Sequence, residues 1–138
     1  MKSVYCDGSF HKNKGVVGIG IICDNKGKYY EFNEVKHLEG LHELIAIKVS
    51  IAEGVKVYGN NFTVYNDDRH LVNRLNRKDE CLVGTLLYKK EFKKIQKLLK
   101  EYGISVKIPT RLSDRMLKNK CHKISRKYLN KRNDEKHV

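Results

Sequence analysis

The sequence has one proline, no CxxC pair, and no apolar run near the roughly 20 residues that a membrane-spanning helix needs. Its four cysteines are Cys6, Cys23, Cys81 and Cys121, and their spacing with the histidines does not indicate a zinc site. We therefore expect a cytoplasmic protein with reduced cysteines and no membrane segment. The N-terminal residues lack a long apolar stretch with a small-residue cleavage site, so we also expect no signal peptide.

Positive charge is the most informative feature of the composition. Lysine and arginine total 29 against 16 acidic residues, which gives a net charge of +13 over 138 residues. Such an excess raises affinity for polyanions through Coulomb attraction and counterion release. Nucleic acid is thus the expected partner, although a basic surface that only aids solubility would give the same composition. The length suits one monomeric domain, placed at residues 1–129, with a polar and flexible tail over residues 130–138.

Alternating apolar residues and turn signals divide the N-terminal part into three strands. Ser3–Cys6 is a short β-rich run before the turn-prone triplet at residues 7–9. Val16–Cys23 is apolar on both faces, as in a closely packed central strand. After a turn at residues 25–27, Lys28–Val35 alternates aromatic and polar residues. These segments predict an antiparallel three-strand meander.

The rest of the chain alternates helices and strands. The predicted elements are a helix with its apolar stripe from Leu41 to Ala52 and its stop at Gly54, a strand at Asn61–Asn66, helices at Arg69–Leu75 and Leu82–Tyr102, a strand at Ile104–Ile108 and a helix at Arg115–Leu129. The order β-β-β-α-β-α-α-β-α predicts an α/β domain, with a five-stranded mixed sheet flanked by helices.

Three acidic residues lie at the ends of these predicted elements. Asp7 ends the first strand, Asp67 ends the fourth, and Glu43 lies early in the helix between them. If the two strands are parallel neighbours, both aspartates open at one edge of the sheet, and the helix could aim Glu43 at the same point. Three converging carboxylates repel one another unless divalent cations neutralise them, and oxygen ligands suit Mg²⁺ or Mn²⁺. Two such ions about 4 Å apart promote phosphodiester hydrolysis.

Each acid also has an ordinary structural explanation. Asp7 before a glycine is a common turn residue, Glu43 suits the first turn of a helix because of the helix dipole, and Asp67 suits a helix cap. The metal-site interpretation depends on the three acids occurring together on a strongly basic chain.

Three segments of the sequence resemble the motifs of type 1 ribonuclease H. VYCDGSF resembles the first-strand motif, HELIAI the helical Glu-Leu-x-Ala motif, and VYNDDRHLV the third motif, in which an aspartate ends a strand before a short helix. The element order agrees with that fold from about residue 3 to residue 129. The resemblance implies a hydrolase that cuts the RNA strand of RNA–DNA hybrids with two metal ions. It also implies that Asp7 bridges both ions while Glu43 and Asp67 hold the second.

The fourth ligand of that family departs from its pattern here. The family's last motif has an aspartate, and residues 121–126 fit its frame with His122 in that place. A second alignment of the motif places an acid, Asp114, at the ligand position, but it lacks the motif's small residue. We therefore predict His122 as the fourth ligand, with Asp114 as the alternative. The alternative for His122 is a solvated residue on a basic helix. Because imidazole is a softer donor than carboxylate, we expect a preference for Mn²⁺ over Mg²⁺ and activity that fades at acidic pH.

The residues that would contact nucleic acid depart from the family's pattern in two places. The resemblance implies that asparagines just before the helical glutamate recognise the RNA 2′-hydroxyl, but this chain has Glu39 and Gly40 there. It also implies a loop that carries a histidine between the fifth strand and the last helix, but the segment Thr110–Lys118 contains no histidine. The 2′-hydroxyl could instead be read by Gly8 and Ser9. The predicted phosphate-binding residues are Lys89, Lys90, Lys93, Lys94 and Lys97, which otherwise form a solvated helix face.

Taken together, the sequence predicts a ribonuclease H-like endonuclease acting on RNA–DNA hybrids. One alternative is a nucleic-acid-binding domain that kept the fold and lost full metal binding, which the histidine at position 122 favours. The other is a DNA nuclease of the same superfamily, of the resolvase or transposase type, because the hybrid-reading residues are absent.

Overall fold

The structure, a computed structural model, describes residues 2–11, 14–33, 41–77 and 84–127. Within these ranges the chain forms five strands and four helices, in the order that the sequence predicts. The elements are β1 (Ser3–His11), β2 (Val16–Cys23), β3 (Lys26–Phe32), α1 (His42–Tyr58), β4 (Thr63–Tyr65), α2 (Arg69–Arg77), α3 (Leu86–Tyr102), β5 (Ser105–Lys107) and α4 (Leu112–Ser125).

The five strands form one mixed sheet with the order β3-β2-β1-β4-β5. β1 is central, and it pairs antiparallel with β2 and parallel with β4. β2 pairs antiparallel with β3, and β4 pairs parallel with β5. This confirms the predicted five-stranded sheet with its antiparallel meander. Because β1 and β4 are parallel neighbours, residues that follow them emerge at the same edge of the sheet.

Helices cover both faces of the sheet. Successive side chains of a strand point to opposite faces. Val4 and Cys6 of β1 belong to the larger core, which includes residues of α1, α3 and β4. Tyr5, between them, belongs to a smaller cluster with Ile22 and Cys121 on the α4 side. Cys6 and Cys23 are buried within this sheet, and their thiols are free.

The predicted turn at residues 7–9 is wrong. β1 continues through these residues to His11, and Asp7 pairs with Gly20 of β2. Asp-Gly-Ser favours a turn only locally, whereas pairing with the fully buried strand β2 satisfies the backbone groups of residues 7–9 within the ladder. Asp7 therefore lies within the central strand.

The turn between β2 and β3 falls earlier than predicted. Asp24 and Asn25 have φ values of 52° and 62° and form a two-residue hairpin turn. β3 consequently spans Lys26–Phe32, and Asn33 is outside the strand. The last two residues of the predicted strand, 34 and 35, lie outside the described residues.

Gly54 is not the end of α1. The helix continues to Tyr58 and ends at Gly59, which has a φ of 82°. A Cβ atom at position 54 would lie 2.2 Å from Cε2 of Phe62. Gly54 thus permits the ring of Phe62 to pack against the helix backbone, which a glycine inside a helix can do at some cost in helix propensity.

The later helices differ from the prediction mainly at their ends. α3 begins at Leu86 with Thr85 as its cap, whereas predicted residues 82 and 83 lie outside the described residues. Leu86, predicted to be in the apolar stripe, is 75% exposed, and the stripe instead includes the buried Phe92. α2 extends to Arg77 instead of Leu75.

α4 begins three residues earlier than predicted, at Leu112. The predicted loop Thr110–Lys118 is therefore mostly helical, and Asp114 lies in the first turn of α4. The predicted helix end at Leu129 and the predicted tail at residues 130–138 lie outside the described residues. Among the helices that the structure describes, none is long and apolar enough to cross a membrane.

Candidate metal centre

The central strand carries the first acid of the candidate site. Asp7 is 5% exposed. Its Oδ2 lies 2.7 Å from Nδ1 of His122 and 3.4 Å from Oγ of Ser125, both on α4. Burial raises the pKa of Asp7 more than the hydrogen bond from His122 lowers it. The carboxyl group therefore faces α4 in an environment that disfavours an unneutralised negative charge.

Two glycines allow helices to approach Asp7 from both faces of the sheet. A Cβ atom at Gly8 would lie 2.4 Å from the carbonyl oxygen of His42 at the start of α1. A Cβ atom at Gly20, the partner of Asp7 across the ladder, would lie 2.1 Å from the carbonyl oxygen of Cys121 in α4. Only glycine permits such close backbone approach. Gly8 of β1 and Gly20 of β2 thus permit the close approach of the helices that carry the other site residues.

The first turn of α1 supplies the second acid. Glu43 is 9% exposed, and its Oε1 accepts the backbone N–H of Gly8 at 2.7 Å. Its Oε2 is buried without a hydrogen-bond partner among the described residues. Burial, with the nearby charge of Asp7, raises the pKa of Glu43 to about 8. A bound cation would satisfy this oxygen and stabilise the ionised form.

The turn after β4 presents the third acid. Asp68, not Asp67, caps α2: its Oδ1 accepts the N–H of Leu71 at 3.2 Å. The fully buried Asn66 accepts the N–H of Asp68 at 2.9 Å through its side-chain oxygen and so stabilises the turn. Asp67 lies between them with a side chain that is 41% exposed. Because the neighbouring residue does the capping, Asp67 is available for another role.

The three carboxyl groups converge as the sequence predicts. Asp7, Glu43 and Asp67 each offer an oxygen, and these oxygens lie within 4.8 Å of one another. This cluster could hold a metal ion, and its all-oxygen donor set suits a hard divalent cation such as Mg²⁺ or Mn²⁺. The buried, unpartnered oxygen of Glu43 fits the same interpretation.

The two candidates for a fourth ligand occupy different places. His122 contacts Asp7 directly, and its side chain is 50% exposed. Asp114 lies two helical turns earlier on α4, and its Oδ1 accepts the hydroxyl of Tyr5 at 2.6 Å. Tyr5 in turn stacks on Tyr65, with ring centroids 5.0 Å apart. The structure thus brings His122 to the acidic cluster and gives Asp114 a partner outside it.

Lys118 is a site residue that the sequence interpretation missed. Its Nζ lies 2.6 Å from Oδ2 of Asp67, and its side chain is only 17% exposed. Burial acts to lower the pKa of Lys118, but the bond to Asp67 and the nearby charges of Asp7 and Glu43 outweigh it, so the pKa lies above its ordinary value. The available signal was its position four residues before His122, on the same face of a helix.

Comparisons with solved structures agree with the sheet order and the helix placement. Ribonuclease H1 of Halobacterium salinarum is 13% identical, with a TM-score of 0.68 over 94% of this chain and 98% of that one. The N-terminal ribonuclease H domain of a Mycobacterium tuberculosis protein is 14% identical, with a TM-score of 0.69 over 98% and 99%. The ribonuclease H1 called LC11, isolated from compost and solved with an RNA/DNA hybrid, is 16% identical, with a TM-score of 0.68 over 94% and 99%. The chain has a ribonuclease H-like fold.

No protein-family model and no curated protein sequence matches the chain. At identities of 13% to 16% the structural likeness shows the fold alone. Within this ribonuclease H-like fold, the Asp-Glu-Asp cluster resembles an active site, and that resemblance comes from this chain's own geometry.

The predicted nucleic-acid contacts in this ribonuclease H-like domain are of two kinds. Near the cluster, the N–H of Gly8 donates a hydrogen bond to Oε1 of Glu43, and the hydroxyl of Ser9 donates one to the carbonyl oxygen of Ser125 at 3.0 Å. Both donors are therefore engaged within the protein. Farther away, α3 exposes the five predicted lysines Lys89, Lys90, Lys93, Lys94 and Lys97.

The basic face of α3 lies alongside α1. In α3, Oε2 of Glu91 accepts a hydrogen bond from Nζ of Lys48 in α1 at 2.7 Å. The other carboxylate oxygen of Glu91 lies 3.5 Å from Nζ of Lys94. Lys48 lies five residues after Glu43, which is about 7 Å along the helix axis. The lysines of α3 thus belong to a helix that is bonded to the helix carrying the second acid.

Proposed function

We propose that this chain is a metal-dependent endonuclease that hydrolyses the RNA strand of RNA–DNA hybrids. The observation that carries the proposal is the convergence of Asp7, Glu43 and Asp67 within 4.8 Å at one edge of a ribonuclease H-like sheet. The net charge of +13 supports a polyanionic substrate. A hybrid is favoured because one structure of similar fold, the compost ribonuclease H1, was solved with an RNA/DNA hybrid.

Each acid has a role that its surroundings support. Asp7, which contacts His122, would contact both of two ions, and Glu43 and Asp67 would hold one of them. His122, through one ring nitrogen, would complete the other. When bound, such ions activate water and stabilise the leaving oxygen of a phosphodiester. The chain's own contribution is to hold the acids rigidly: Gly8 fixes one oxygen of Glu43, and Ser125 lies against Asp7.

The histidine at position 122 leads to a proposal about the metal. His122 contacts Asp7 at 2.7 Å, and a carboxylate at this place would add negative charge that imidazole does not. Fewer charges and a softer donor favour Mn²⁺ over Mg²⁺. We expect cleavage to be faster with Mn²⁺ than with Mg²⁺ when each ion is titrated separately. His122→Asp should reduce this preference, and equal rates with both ions in the wild-type protein would contradict it.

The backbone of the hybrid would lie against the basic face of α3. Its exposed lysines are carried by a helix that is bonded through Glu91 to Lys48 of α1, the helix that also carries Glu43. Lysine contacts with phosphates position a nucleic acid without reading its sequence. This arrangement supports tight binding to hybrids of any sequence.

The deciding experiment is cleavage of an RNA–DNA hybrid, with duplex DNA and duplex RNA as control substrates. Each substrate is incubated with Mg²⁺ and with Mn²⁺. Asp7→Asn should lower the rate at least about 100-fold, because it removes the charge nearest to both proposed ions. Asp24→Asn is the matched control, since it makes the same change in an exposed hairpin turn. Activity that survives Asp7→Asn, or cleavage of duplex DNA instead of the hybrid, would refute the proposal.

A nucleic-acid-binding domain without cleavage is the second candidate. One observation favours it: the ammonium group of Lys118 already neutralises Asp67 at 2.6 Å. In that case the protein would bind hybrids with strong salt dependence, and neither metal ion would produce cleaved RNA. The same assay separates the two functions.

A further inference from the structure

The acidic cluster has a counter-ion within the protein. Nζ of Lys118 lies 2.6 Å from Oδ2 of Asp67, whereas the pair formed by His122 lies on the other aspartate, Asp7. Asp67 is the most exposed of the three acids, with a side chain that is 41% exposed. It is therefore the acid most easily reached by an ion from solvent.

The ammonium group and a metal ion compete for the same carboxylate. An ammonium at hydrogen-bond distance uses the lone pairs of Asp67 Oδ2, and a cation bound by the cluster would be repelled by the lysine charge. Both effects weaken metal binding. The lysine also has a reason to be there, since three carboxylates with oxygens within 4.8 Å repel one another strongly.

We propose that Lys118 is a built-in competitor of the metal, so that metal binding at this cluster exchanges the lysine ammonium on Asp67 for a divalent ion. The inference rests on the proposed metal site and adds a residue that controls how tightly the site is filled. Lys118 is in this sense a positioning residue, because it acts through Asp67. Its position on α4, four residues before His122, places both side chains that contact the aspartates on one helix face.

The exchange makes a definite prediction about metal affinity. Lys118→Met keeps the length and apolar body of the side chain and removes its charge. It should tighten Mn²⁺ binding about tenfold, since it frees Asp67 and removes one repulsive charge from a partly buried site. Lys118→Arg, which keeps the charge, should bind Mn²⁺ within about twofold of the wild-type protein. These affinities are measured by isothermal titration calorimetry of the whole chain with MnCl₂, without nucleic acid.

A matched control separates the local effect from net charge. Lys120→Met lowers the net charge by the same amount on the same helix, but the side chain of Lys120 is exposed beside Lys123 and Ile124, away from the acids. It should leave Mn²⁺ affinity within about twofold of the wild-type value, because exposed charges are screened by salt.

Thermal melting provides a second readout that also reports folding. In EDTA, Lys118→Met should melt below the wild-type protein, because its carboxylates lose their counter-ion. In saturating MnCl₂ the two proteins should melt at similar temperatures, since the ion then neutralises the cluster in both. A variant that is equally destabilised in both conditions would have lost only packing, and that result would overturn the inference.

Failure of this inference is distinguishable from failure of the proposed function. If Lys118→Met binds Mn²⁺ no tighter than Lys120→Met while the wild-type protein cleaves hybrids, the exchange is refuted and the nuclease stands. If Lys118→Met binds tighter and neither protein cleaves hybrids, the exchange stands and the nuclease is refuted. Absence of measurable binding in every variant would overturn the exchange as well.

Discussion

Gly20 controls the distance between α4 and the sheet, so Gly20→Ala should disturb the candidate site from a position outside it. The added Cβ would lie 2.1 Å from the carbonyl oxygen of Cys121, and ordinary contact begins at 3.4 Å. The opposing atom belongs to a helix backbone and cannot rotate away. The helix must therefore retreat by about 1.3 Å, the difference between these two distances.

That retreat is enough to break a contact in the site. The Nδ1–Oδ2 distance between His122 and Asp7 is 2.7 Å, and His122 lies one residue after the displaced carbonyl. A displacement of this size would lengthen the distance to roughly 4 Å, beyond the limit of about 3.2 Å for a hydrogen bond. Overpacking typically costs about 1–3 kcal/mol, and a misplacement near 1 Å in an active site can lower a rate about 100-fold.

Urea unfolding and hybrid cleavage with Mn²⁺ test both consequences of Gly20→Ala. Gly27→Ala is the matched control, because the Cβ added at Gly27 also meets α4, but the only atom of α4 near it is Cδ1 of Ile124 at 3.0 Å, the end of a flexible side chain. We expect Gly20→Ala to be less stable than Gly27→Ala by at least about 1 kcal/mol and to cleave far more slowly. Equal stability and equal activity in the two variants would refute the reasoning.

Three further predictions concern other parts of the molecule. In metal-free buffer, Glu43 should make the protein less stable as the pH rises from about 4.5 to about 8, because its pKa is about 8 in the folded state and 4.5 in the unfolded chain. Urea titrations at several pH values should show this fall, of at most about 5 kcal/mol, in the wild-type protein and a smaller one in Glu43→Gln, where only the raised pKa of Asp7 remains. Gly54→Ala should destabilise the protein by about 1–3 kcal/mol, although the same change in an open helix would stabilise it, because the methyl group meets the ring of Phe62; a gain in stability would contradict this packing. Lys93→Ala should lower the slope of log affinity against log salt for a hybrid by about 1, and an unchanged slope would remove Lys93 from the binding surface.

The sequence was sufficient for the fold because its strongest signals are periodic. The apolar stretch Val16–Cys23 is a fully buried strand, and the order of elements predicted the sheet that the structure has. Element ends were less predictable, since they depend on contacts distant in the sequence. From the sequence alone, Gly54 resembles a helix stop and Asp7 resembles a turn residue. The structure shows instead that Phe62 packs on Gly54 inside the helix and that Asp7 pairs with β2.

The candidate site was predicted in part for a similar reason. Asp7, Glu43 and Asp67 could be placed together because Asp7 lies on the strand parallel to the one that Asp67 follows, and Glu43 lies in the first turn of the helix that connects these strands. Lys118 could not, because its role depends on how α4 packs on the sheet and so brings the ammonium group to Asp67. The sequence also could not show that Asp68 caps α2 while Asp67 does not, because this depends on which side chain reaches the N–H of Leu71.

The contacts around the cluster join residues that are far apart in the sequence, so the parts of the site are synthesised at different times during translation. All three acids belong to the first half of the chain, whereas Lys118 follows Asp67 by 51 residues and His122 follows Asp7 by 115. The ribosome thus makes the carboxylates well before it makes the two side chains that contact them. Until α4 has been synthesised and docks on Gly20, the nascent domain carries its acids without the ammonium group of Lys118 or the imidazole of His122, and protons or ions from solvent must take their place.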